Sequence, residues 1–195
     1  MLTTLTPPAG SLFSPGDATL RQHVRLEDAE TDEDVLLDAI VATAVAQVEA
    51  YTRRRLLTQT LRLTLDGFGC GGLEATPLPV APIQSVDQVQ YLDDAGTWQT
   101  VPPTDYRLVD SVEPLELWPA FGRTWPVPKR EPAVVRIDLV VGYGASASAV
   151  PADILAAVRM LVAHLDLHRE AVSREASSEV PFGVREMLAA HRLWV

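Results

Sequence analysis

An α+β fold is what this sequence predicts, and three observations carry the prediction. Two long segments, "EDAETDEDVLLDAIVATAVAQVEAYTRRRLL" early in the chain and "ASASAVPADILAAVRMLVAHLDLHREAV" late in it, space their apolar residues near the helical period. Between them, "LLTQTLRLTLDGF" and "AVVRIDLVVGYG" alternate apolar and polar residues, as half-buried strands do. Helices, then strands, then helices, with no internal repeat, is the order of an α+β chain and not of alternating βαβ units.

In "SPGDATLRQHVRL", Asp17 is placed to cap a short helix with Leu20, Val24 and His23 toward one side. Thr31 and Asp34 make a weak capping box at the start of the first long helix, and Asp32, Glu33 and Asp34 suit the positive end of its dipole. The acid cluster from Glu27 to Asp38 therefore reads as a solvated helix start and not as a cation site. Val35, Leu36, Ala39, Ile40, Thr43, Val48 and Tyr51 are the expected buried stripe. Arg53, Arg54 and Arg55 close the helix where cations are favoured, but three adjacent guanidiniums exceed that need and mark a candidate interface.

From Leu56 the period changes. Leu61, Leu63 and Leu65 alternate with Thr60, Arg62 and Thr64 in a strand, after which Pro77, Pro79 and Pro82 hold an extended connection open. Val86, Val89 and Tyr91 enter a strand, Asp93 to Gly96 make a turn, and Trp98 with Val101 return, which predicts a β-hairpin. "DYRLV" and "PLELW" read as two short strands, and "FGRTWPVPKREP" as a proline-rich loop carrying Phe121 and Trp125, of the kind that tends to serve function. In the last strand Val135, Ile137, Leu139 and Val141 point one way, and Arg136 and Asp138 the other. Pro151 then opens the second long helix, with Asp153 at its positive end and Ile154, Leu155, Val158, Leu161, Val162 and Leu165 as its apolar face. The polar "SREASSE" links it to a terminal amphipathic stub, "VPFGVREMLAAHRLWV". The expected organisation is an N-terminal arm over 1–16, one α+β domain over 17–176 and a C-terminal linker and docking segment over 177–195. Within that domain, helices fill 17–55 and 151–172 and the β region fills 56–142.

Composition narrows the function. At 195 residues and 47% hydrophobic content the chain is globular in size and composition. The start, "MLTTLTPPAGSLFSPGD", lacks a basic leader and an apolar core, and no run approaches the roughly 20 apolar residues of a bilayer span, so folding in the cytoplasm is expected. The single cysteine, Cys70, lies in the glycine-rich "GFGCGGLE" and reads as a free thiol, which excludes an intrachain disulfide or cysteine-based zinc cluster. Net charge is −10 and uneven: residues 1–128 hold 8 Arg against 18 acids, while 129–195 balance 8 against 8. An acidic first two-thirds opposes general nucleic-acid binding, which relies on clustered Lys and Arg.

Catalytic patterns are weak. His164 and His168 in "HLDLH" stand four apart, a spacing that can place two imidazoles on one metal, but Leu165 replaces the glutamate of the zinc-protease pattern and no third ligand is evident. "GYGAS" and "GFGCGG" lack the lysine of a phosphate-cradling loop, and no G-x-S-x-G elbow occurs. The expectation is no enzyme, no cofactor and no metal, with a metal-dependent hydrolase as the weakest alternative. Phe121, Trp125, Phe182 and Trp194 sit in loops or at the terminus, and aromatics of this kind anchor protein interfaces as readily as they pack locally.

Taken in order, "EAYTRRRLLTQTLRLTLDGF", "LPVAPIQSVDQVQYLDDAGTWQTVPPTDYRL", "RIDLVVGYG", "VPADILAAVRMLVAHLDLHRE" and "VPFGVREMLAAHR" resemble the head–tail connector, or adaptor, proteins of long-tailed phages, prophages and gene-transfer agents. The resemblance covers roughly residues 17 to 192. It implies long N- and C-terminal helices packed together in a bundle, an inserted antiparallel sheet and hairpin region, and a C-terminal segment reaching to a partner. It also implies a ring, commonly twelvefold, beneath the portal protein, with a downstream neck or tail-completion protein on its other side. Location would be the neck of a virion or phage-like particle, assembled in the bacterial cytoplasm, with no membrane partner. DNA would pass through without specific binding, which an acidic wall favours. The stub is expected to be mobile in a free subunit and to dock on assembly through Phe182, Val184, Met187, Leu188 and Leu193, flanked by Arg185 and Arg192. The candidate contact residues are therefore Arg53, Arg54, Arg55, Phe121, Trp125, Phe182, Arg185, Leu188, Arg192 and Trp194. Another neck or tail-completion protein, or a binding protein that regulates assembly, is the nearer alternative.

Overall fold

The computed structural model describes residues 1–25, 33–69, 74–168 and 182–194, with the side chain of Phe182 outside that description. Within them the chain runs β1 (Leu2–Thr6), α1 (Ala18–Val24), α2 (Asp34–Thr52), β2 (Gln59–Leu65) and β3 (Thr76–Pro77). It continues through β4 (Ile83–Leu92), β5 (Trp98–Thr100), β6 (Tyr106–Val109), β7 (Glu116–Pro119), β8 (Val135–Val141), α3 (Ala152–Leu167) and α4 (Phe182–Ala189). The fold is α+β, with helices and antiparallel strands in separate parts of the chain. Two compact units form: residues 1–8, 58–143 and 193–195 in one, and 9–57 and 144–192 in the other.

The β unit holds a five-stranded sheet in the order β1-β2-β8-β4-β5 and a three-stranded sheet in the order β3-β7-β6. β8 is central, paired antiparallel with β2 from Gln59↔Val141 to Leu65↔Val135 and with β4 on its other side. Its alternation works as the sequence predicts: Val135, Ile137, Leu139 and Val141 are fully buried, together with Leu61 and Leu63 of β2 and Val89 of β4. On the opposite side Arg62 grips Asp138 with two hydrogen bonds, Nε to Oδ1 at 2.7 Å and Nη2 to Oδ2 at 2.8 Å. The hairpin turn is closed by Asp93, whose carboxylate accepts from the Thr97 amide and the Gln99 side chain, both at 2.8 Å. Those bonds hold the Asp93 carboxyl below its ordinary pKa, and Gly96 supplies the turn's positive φ of 78°. Residues 2–6, expected within an arm, instead pair with β2 as the sheet's edge strand.

In the helical unit Asp17 caps α1 as expected, its carboxylate accepting from the Leu20 amide at 2.8 Å. Arg21 is buried, and its guanidinium reaches the Pro15 carbonyl at 3.1 Å and Asp34 at 2.9 Å. Thr31, the first residue of the predicted Thr31–Asp34 capping box, lies outside the described residues; the helix begins at Asp34, without a side-chain cap from Glu33. Three helices contact α3: α1, α2 and α4. Ile154, Ala157, Val158, Leu161 and Val162 of α3 are buried, close to the predicted face.

The α2 stripe needs correction. Its buried residues are Leu37, Val41, Ala44, Val48 and Thr52, whereas Val35, Leu36, Ala39 and Thr43 of the predicted stripe are exposed. Both sides of α2 are apolar or small, so the sequence period does not decide which side turns inward. By length and apolar content this helix reaches the size of a membrane span, a test that core helices also pass.

Gly144, in the turn before α3, has no room for a side chain: a Cβ there would lie 2.5 Å from the Ala149 Cβ. Gly144→Ala is expected to destabilise the protein by about 2 kcal/mol through overpacking, read as a lowered urea midpoint at unchanged slope.

Candidate functional site

Three surfaces hold the candidate contact residues. The first gathers around the end of α2 in the helical unit. Arg53 occupies the C-cap in the left-handed region, φ 56°, and is exposed. Arg54 turns back into the fold, its Nε donating to the His191 carbonyl at 2.6 Å. Arg55 pairs with Glu49 at 2.7 Å, and the same carboxylate accepts from the Leu56 amide at 2.8 Å. Of the triplet, Arg53 is exposed, and half-buried Arg54 and Arg55 fasten the loop after α2.

The stub closes onto this region. Val184 and Leu188 are each 1% exposed, and α4 contacts both α3 and α2. The expectation that this apolar side awaits a partner is thereby corrected: its partner is the chain's own helical unit. Leu193 is buried as well. Arg192 lies over the Tyr51 ring at 5.4 Å. Of the candidate contact residues in the stub, Arg185 and Trp194 are exposed, the latter 71%. Phe182 opens α4, and its side chain is outside the described residues.

His191 fixes the stub to α3 through its Nε2, 2.5 Å from Asp153 Oδ2. This hydrogen bond, ahead of the charge on His191, holds the Asp153 carboxyl below its ordinary value of 3.8. A carboxyl depressed in the folded state contributes stability above the unfolded pKa, and that contribution is lost as pH falls through the lower folded value. His191→Ala is therefore expected to move the Asp153 titration midpoint upward toward 3.8 and to flatten acid destabilisation below about pH 4. An NMR carboxyl titration of the wild type and the variant checks both.

The second surface is the proline-rich loop of the β unit. Trp125 anchors it: the indole donates to the Glu74 carbonyl at 2.6 Å and stacks on Phe68 with 4.4 Å between centroids. Lys129 donates its amide to the Leu92 carbonyl, and the Ala133 amide reaches Asp66. Between these pins Phe121 is fully exposed and Val127 is 81% exposed. Of this loop's two predicted contact aromatics, Trp125 holds the loop and Phe121 is presented by it.

The third surface was missed because the sequence assigns it to the core. Along α2 the exposed side carries Val35, Leu36, Ala39, Ala42, Thr43 and Ala46. Leu36, Ala39, Ile40 and Thr43 line an open groove of about 280 Å³ with Leu165 and His168 of the α3 end. The one available signal was a helix apolar on every side, which a single neighbour cannot cover.

Concerning metal chemistry, His164 and His168 stack with 4.5 Å between centroids, and the His168 Nδ1–H donates to the His164 carbonyl at 2.8 Å. Burial, and then His168, lower the His164 pKa. Among the described residues no group of three or more His, Cys, Asp or Glu is placed to hold a metal ion.

No protein-family model and no curated protein matches the chain. Solved structures do. The neck of an empty gene transfer agent particle, computed with sixfold symmetry, matches with a TM-score of 0.81 and 29% identity, over 100% of this chain and 96% of that one. A chain from the virion of a native gene transfer agent particle matches at 0.79 and 29%. The neck of a native particle computed with twelvefold symmetry matches at 0.77 and 28%, and both of these comparisons have the same coverage.

Proposed function

Since this chain belongs to the head–tail connector family of phages and gene transfer agents, we propose that it is the adaptor subunit of a neck ring seated beneath the portal. The observation that carries the reading is similarity over 100% of this chain and 96% of the neighbours to gene transfer agent neck chains. The role is structural: the chain joins a DNA-filled head to a tail and makes or breaks no covalent bond. Copies assemble side by side into a ring, twelvefold as in the neighbour solved with that symmetry, with the portal on one side and a neck or tail-completion protein on the other. The helical unit supplies the portal-side contact through exposed Arg53 and Arg185, and the exposed Trp194 of the C-terminal segment supplies another. Arg54, Arg55, Leu188 and Arg192 position them, and Phe121 supplies a second contact from the pinned loop, held there by Trp125. DNA passes through a ring of acidic subunits, each carrying −10, which repels the polyanion and keeps it from sticking.

Removing the gene from a producing strain tests this. The expected product is DNA-filled heads without attached tails, with particles assembled in the bacterial cytoplasm and restored by the wild-type chain. Particles with firmly attached, competent tails would overturn the proposal.

A further inference from the structure

We infer that the exposed apolar face of α2, with the groove it shares with the end of α3, is where the next copy of this chain packs. The inference rests on the ring reading above and names the surface that the ring uses. Four observations carry it.

First, α2 buries one apolar side inside its own unit and leaves a second side of Val35, Leu36, Ala39, Ala42, Thr43 and Ala46 exposed, with a single exposed acid, Asp38, at its edge. Val35 is 84% exposed and Leu36 43%, and Leu167 at the end of α3 is 80% exposed. An extended apolar face of this kind on a folded chain marks a contact with another macromolecule. Second, the face is not flat. The groove of about 280 Å³ lined by Ile40 and Leu165 can receive an apolar side chain, while the alanines beside it let a backbone approach closely.

Third, charge selects the partner. Each copy carries −10, so neighbouring copies repel unless their contact is free of acids. Between Asp38 and Glu49 the sequence AIVATAVAQV contains no charged residue, and Glu49 is already engaged with Arg55. Exposed Arg53 and Arg185 suit any acidic partner and so do not choose among them, whereas the uncharged stretch of α2 lets two acidic copies approach without setting acid against acid. Fourth, the structural neighbours were computed with sixfold and twelvefold symmetry. A closed ring is built from heterologous contacts, in which one patch of each copy meets a different patch of the next. The α2 face supplies one of the two patches.

Benzoylphenylalanine placed at Ala42, and separately at Val35, reports the occupant when assembled particles are illuminated and the cross-links read by mass spectrometry. The expected result is covalent multimers of this chain, joined from α2 to a segment other than α2. Cross-links solely to a different protein, or none in particles whose images show the ring, would overturn the inference while leaving the ring intact. Images without any ring would instead remove the reading on which it rests. A second measurement avoids the bulky probe. Ala42→Asp, at an exposed position, should keep the wild-type urea midpoint but raise the concentration that half-fills portal rings about tenfold and abolish the cooperativity of filling. Cooperative filling at the wild-type concentration would overturn the inference, and weakened but still cooperative filling would move the face to the portal contact.

Discussion

Asp138→Ala is expected to lower the free energy of unfolding by about 3 kcal/mol, measured by urea denaturation. Arg62 and Asp138 stand opposite each other in the β2–β8 register, next to the most buried residues of the sheet. The Asp138 side chain is 8% exposed and that of Arg62 27%, so most of the pair is screened from water. Both carboxylate oxygens are used, and the hydrogen bonding of Arg62 to Asp138 is the leading reason the Arg62 pKa is raised. Alanine leaves the half-buried Arg62 guanidinium with no counter-charge, which is why breaking such a pair costs more than the pair itself contributes. Replacing both partners, Arg62→Met with Asp138→Leu, should recover most of the loss. A single-variant loss below about 0.5 kcal/mol would show that water reaches the guanidinium freely.

Leu188→Ala is expected to cost about 3 kcal/mol as well, and the meaning of the C-terminal stub turns on it. Leu188 and Val184 are each 1% exposed, and around them Arg54 holds the His191 carbonyl while His191 holds Asp153. A buried leucine truncated in such a setting loses its transfer free energy and leaves a cavity. Deleting residues 182–195 should cost more than the point variant, since it uncovers parts of α2 and α3 together. If both variants unfold at the wild-type urea concentration, the stub is a detachable arm and its apolar side belongs to a partner after all.

Much of this fold is legible in the sequence because the signals are local. Asp17 caps its helix through the Leu20 amide three residues on, the Asp93–Gly96 turn joins neighbouring strands, and Ile137 with Leu139 bury because alternation puts them on one face. Non-local pairings stay hidden. The stretch from Leu2 to Thr6 is polar enough to read as an arm, yet it finds β2 some 60 residues away, from Leu2↔Leu63 onward. Trp125 reads as a contact residue until Phe68 and the Glu74 carbonyl are brought to it. The α2 error has a different origin: where a helix is apolar all round, periodicity counts faces without ranking them, and α3 makes the choice. The stub is the same problem at a terminus, for an amphipathic segment shows that it packs and not upon what.

Mass measurement of purified portal rings, before and after adding this chain, tests the proposed role most directly. The predicted result is a discrete complex whose added mass equals a closed ring of copies, twelve on a twelvefold portal, filled cooperatively and stable without tail proteins. Portal rings that keep their original mass at every concentration of the added chain would contradict it.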